Sequence, residues 1–90
     1  MSAINQKEAV YLKVTEFFGA DFKPGMKPTD EQHKAITAII AEGFVSGSIK
    51  HRTPAKVATM EQALVYSKGL LSNWLRRDPR LAGTPEVAAQ

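Results

Sequence analysis

Residues 59–81, TMEQALVYSKGLLSNWLRRDPRL, carry the only Trp of the chain and its longest uninterrupted helical pattern. Met60, Leu64, Leu71, Trp74 and Leu75 recur at helical spacing, with Ser67 or Lys68 filling the turn between them, so one side of a helix over 59–78 is apolar. Thr59 stands where its hydroxyl can accept an unpaired backbone N–H of the first turn. Pro79 lacks the N–H needed to continue and stops the helix. Arg76 and Arg77 fall in the last turn, where cations complement the negative helix end by about 0.3–1 kcal/mol each.

Upstream, residues 44–58, FVSGSIKHRTPAKVA, read as an irregular connector. Ser48–Arg52 has some strand character but no partner strand elsewhere, and Thr53-Pro54 closes the segment or opens a short helical turn through Val57. Before it, Thr29, Asp30, Glu31 and Gln32 fit a capping box, in which the Thr hydroxyl and the Gln side chain satisfy opposite backbone donors. Ile36, Ile39, Ile40 and Phe44 continue that helix as an apolar stripe, and it ends at Gly43 or at Gly47. Alanines at 35, 38 and 41 allow a neighbouring helix to approach closely. Residues 20–28, ADFKPGMKP, form a loop with a Pro24-Gly25 turn, pinned by Phe22 and Met26. Residues 3–18 read as the first helix, with Ser2 as cap, Gly19 as stop and Val10, Val14, Phe17 and Phe18 as its apolar face. The expectation is an all-α fold: a small three-helix domain over 1–82, with an irregular connector before the third helix. Its core is Val14, Phe17, Phe18, Ile36, Ile40, Phe44, Leu64, Leu71, Trp74 and Leu75. Residues 83–90 are expected to form a flexible C-terminal tail.

Ninety residues, 43% hydrophobic and 23% charged, suit one domain with a single core, near the lower end of comfortable domain size. The absence of cysteine excludes disulfides, thiolate chemistry and Cys-based zinc motifs. No apolar run approaches the roughly 20 residues that a membrane helix needs. MSAINQKEAV lacks the basic-then-apolar pattern of a secretory signal, so no membrane association is expected and the expected location is cytoplasmic. Charge is unevenly distributed: residues 1–45 hold five Lys against six acids, and residues 46–90 hold seven Lys and Arg against three. The basic half permits attraction to nucleic acid or to an acidic protein surface.

Catalytic and metal signatures are missing. His33 and His51 lie in different elements with no HExxH and no carboxylate at i+3 or i+4. Gly43, Gly47 and Gly69 are too far apart for a phosphate loop, and no Ser sits in a GxSxG elbow. No catalytic residue, metal or cofactor is therefore expected. Lys50, Arg52 and Lys56 of the connector, with Arg76, Arg77 and Arg80, are the candidate binding residues, because connector and helix end together would make one basic patch.

Leu71–Arg77, LSNWLRR, resembles the end of a helix-turn-helix recognition helix. Two positions depart from that pattern: Val65 stands where the turn Gly would lie, and Glu61 at the usual small buried position, so no base-reading residue carries over. The short length, the lack of cysteine and the Trp-Leu-Arg-Arg ending resemble small bacteriophage-encoded accessory proteins, many of which bind and redirect a host protein. The expected function is a non-enzymatic, regulatory interaction module with a protein partner. Nucleic-acid binding through the same basic patch is the alternative, and self-association as a homo-oligomer through Tyr66 and Leu70 the third reading.

Overall fold

Four side-chain caps decide where the helices begin. The Asn5 side chain accepts the Glu8 backbone N–H at 2.8 Å and opens α1, Gln6–Phe18. Thr29 and Gln32 form the expected capping box at the start of α2, Asp30–Ser46. Thr59 and Gln62 form a second one at the start of α3, Met60–Arg77. Asp78 caps the short α4, Pro79–Ala82, through the Arg80 N–H. The computed structural model describes residues 3–83, and within them it is all-α with no strand. Helix one starts three residues later than expected, because Ile4 pairs with Ile49 in a single parallel bridge and Asn5 then provides the cap. The expected Ser2 cap, and the tail from Thr84 onward, lie outside the described residues.

α2 runs past Gly43 to Ser46, where Gly47 takes the left-handed conformation (φ 86°) that ends helices at little steric cost. A short 3-10 turn, Pro54–Val57, leads into α3, as Pro54 allows. The loop after α1 is turned at Pro24-Gly25, and the Gly25 N–H donates to the Leu81 carbonyl at 2.8 Å, tying this loop to α4.

The core forms where α2 and α3 pack together, with α1 and α4 closing its sides. Val14, Ile36, Ile40, Phe44 and Leu71 are buried as expected, and Phe18, Trp74 and Leu75 are partly buried against them. Phe17 and Leu64 are corrections: both lie more than a third exposed. The reason is rotation. The buried side of α3 is Ala63, Ser67 and Leu71, and Leu64 is turned about 100° away from Ala63. Small residues at 63 and 67 let α3 approach its neighbours closely, which an apolar-size pattern does not register. Leu70, expected to project outward, packs against the core instead.

The four-residue α4 adds to the three expected helices. Pro79 stops α3 as expected, but it also occupies the first turn of a new helix, where its missing N–H costs nothing. Leu81 is thereby buried to 1% exposure, and Asp78 completely. Arg80 bonds the Asp78 carboxylate through Nε (3.2 Å) and Nη2 (3.0 Å), reaches Glu8 of α1 at 3.2 Å, and lies 4.0 Å over the Tyr11 ring. Burial by itself would raise the Asp78 carboxyl pKa. The hydrogen bonds and charge of Arg80, with Lys7, outweigh that and hold it below the ordinary value.

Candidate functional site

The connector is held in place by its backbone. Ile49 is buried and sends its N–H to the Gly43 carbonyl at 3.0 Å, while the Lys50 N–H donates to the Ile4 carbonyl at 2.8 Å. With residues 49 and 50 held, Lys50 and Arg52 project from a fixed edge onto a cleft of about 900 Å³, which Lys56 and the helix-α3 residue Tyr66 also line. Gln6 bridges its two sides: the Tyr66 hydroxyl donates to Gln6 Oε1 at 2.8 Å, and Gln6 Nε2 donates to the Lys50 carbonyl at 3.1 Å.

Under the cleft lies an aromatic cluster. The His51 ring meets Tyr66 at 4.7 Å and Phe44 at 5.8 Å between centroids, both near edge-to-face. Its Nδ1 accepts the Thr53 backbone N–H at 2.8 Å, so the proton of the neutral ring sits on Nε2. Tyr66, expected as a self-association contact, is thus used within the chain.

No carboxylate lines this cleft, and among the described residues Lys50, Arg52 and Lys56 form no ion pair. The other expected basic residues lie elsewhere. Arg76 donates from Nε to the Ser72 carbonyl at 3.3 Å and lines a different cleft with Lys27 and His33. Arg77 is exposed in the last turn of α3. Arg80 is already paired with Asp78 and Glu8. Tyr66, which lines the connector cleft, precedes Arg76 by ten residues of α3, about 15 Å along the axis, and the clefts lined by the connector cations and by Arg76 have no residue in common.

Asn5, Gln6, Thr53 and Tyr66 complete the site; sequence did not single out Asn5 or Gln6, and it assigned Thr53 and Tyr66 no part in this cleft. Gln6 and Tyr66 are separated by 60 residues, and neither has a local signal for the contact. His33, for which the sequence offers no metal or catalytic partner, is half-buried and links α2 to α3 through Ser72 at 3.0 Å. Among the described residues, no group of three His, Asp or Glu side chains is placed to hold a metal ion, and no helix is long and apolar enough to cross a membrane. No family model, curated protein or solved structure matches the chain.

Proposed function

We propose that this chain is a non-enzymatic helical interaction module that takes an acidic segment of a protein partner into the connector cleft. The observation that supports the reading is the convergence of Lys50, Arg52 and Lys56 on a concave surface with no acid to neutralise them. Arg80 is the internal contrast, since its charge is satisfied within the fold. Arg52 offers a planar fork suited to bidentate carboxylate pairing, and the lysines add point charges beside it. Tyr66 and the Gln6 amide supply an aromatic wall and a polar rim, the composition expected where an extended segment docks.

Nucleic acid is the weaker fit on geometry. A duplex presents a phosphate charge every ~1.7 Å and favours a continuous basic track, whereas Lys50, Arg52 and Lys56 line one cleft, Arg76 another, and Arg80 is paired within the fold. The test is fluorescence anisotropy with a Glu- and Asp-rich peptide and with single- and double-stranded oligonucleotides, at two salt concentrations. The peptide is expected to bind the native chain and to be lost in the Lys50→Glu, Arg52→Glu, Lys56→Glu variant. Binding of duplex DNA but not the peptide, with a log–log salt slope of about −2.7 for three neutralised phosphates, would replace the proposal with the nucleic-acid reading.

A further inference from the structure

A second surface lies on α3, away from the connector cleft. Leu64 and Val65 are 37% and 75% exposed, and with Lys68 of α3 and Asp30, His33, Lys34 and Thr37 of α2 they line a groove of about 570 Å³. Val65 is the most exposed large apolar side chain among the described residues. Glu61 and Lys68 stand on either side of this pair along the helix; both are exposed, and neither is ion-paired among the described residues.

The arrangement is self-complementary. Positions 61 and 68 are seven residues apart, close to two turns and about 10 Å along the axis, and they share nearly one direction. Leu64 and Val65 lie midway between them, splayed about 50° to either side of that direction. A two-fold axis passing beside this midpoint, perpendicular to two antiparallel α3 helices, maps 61 onto the height of 68 and 68 onto that of 61. Each Glu61 carboxylate then faces the partner's Lys68 ammonium. Leu64 meets the partner's Leu64 beside the groove against α2, and Val65 meets the partner's Val65 on the other flank. Such an isologous contact needs one sequence to carry both halves of each pair, and this one does.

We infer that the Glu61–Lys68 face of α3 binds a second copy of this chain in an antiparallel two-fold dimer. Tyr66 lies about 100° around the helix from Val65, so the connector cleft of each copy stays open. The inference does not depend on what that cleft binds.

Sedimentation equilibrium at roughly 100 μM, where a micromolar dimer is well populated, reads the outcome directly. The native chain is expected at twice its 9.9 kDa mass, and Val65→Glu at the single-chain mass with its helical circular dichroism unchanged. Glu61→Lys alone or Lys68→Glu alone sets like charges opposite each other twice per dimer, and each weakens association roughly fivefold. The double reversal restores opposite signs and recovers the native dissociation constant. A single-chain mass for the native protein overturns the inference and leaves the face to some other partner. A dimer that survives Val65→Glu, or a double reversal that recovers nothing, overturns it equally. Should Val65→Glu lose its helical signal, the charge-reversal series decides alone.

Discussion

Substituting Gly43 by Ala tests how the fold holds the connector. A Cβ at position 43 would stand 2.5 Å from Ile49 Cδ1 and 2.8 Å from its Cγ1, where carbon atoms prefer about 3.5–4.0 Å. Ile49 is buried and its own N–H is bonded to the Gly43 carbonyl, so its side chain must retreat by about 1 Å into a filled core. Overpacking of this kind costs about 1–3 kcal/mol, while Gly→Ala inside a helix returns about 1. The net expectation is a loss near 1 kcal/mol. Gly69 of α3 is the control, because a Cβ there meets nothing within 4 Å and the full helix gain of about 1 kcal/mol remains. The two variants should separate in urea titrations followed by circular dichroism at low micromolar concentration. For a domain of this size, melting temperatures are expected to move by about 4–8 °C per kcal/mol, down for Gly43→Ala and up for Gly69→Ala. Because Lys50 follows Ile49, Gly43→Ala should also weaken acidic-peptide binding, which Gly69→Ala leaves intact. A Gly43→Ala protein as stable as the Gly69→Ala protein would refute the claim that close packing of Ile49 on α2 positions the site.

The Ser67 hydroxyl is fully buried without a hydrogen-bond partner, so Ser67→Ala is expected to stabilise the fold by about 1–2 kcal/mol in the same titration. Asp78 has its folded pKa depressed by Arg80 against the opposing effect of burial. Its contribution is therefore complete above the unfolded carboxyl value near 4 and disappears as pH falls through the lower folded value. Melting temperatures between pH 2 and 6 should fall more steeply for the native chain than for Asp78→Asn, and equal slopes would count against the pairing.

Local chemistry accounts for the features that were legible. Thr29 with Gln32, Thr59, Pro24-Gly25 and Pro54 each act on neighbouring residues, and all appear in the structure as read. The Ile36, Ile40 and Phe44 stripe was equally readable, because three large apolar residues at helical spacing define one face. Helix three misled for a physical reason. Its buried side is lined by Ala63 and Ser67, whose small size marks close approach, whereas the larger Leu64 and Val65 face outward. The basic residues misled differently: sequence order places Arg76 and Arg77 at the end of α3, but it does not tell which cleft each cation lines or that Arg80 is paired with Asp78 and Glu8.

Local backbone and side-chain chemistry, acting within a few residues, thus determined from sequence that the protein is all-α, where its second and third helices start and which charges it carries. Tertiary structure alone decided that Leu81 belongs to the core, that Arg80 is spent on Asp78 and Glu8, and that Gln6 and Tyr66 frame a cleft below Lys50. Those outcomes join residues up to 72 positions apart, and such contacts arise from how the helices pack against one another.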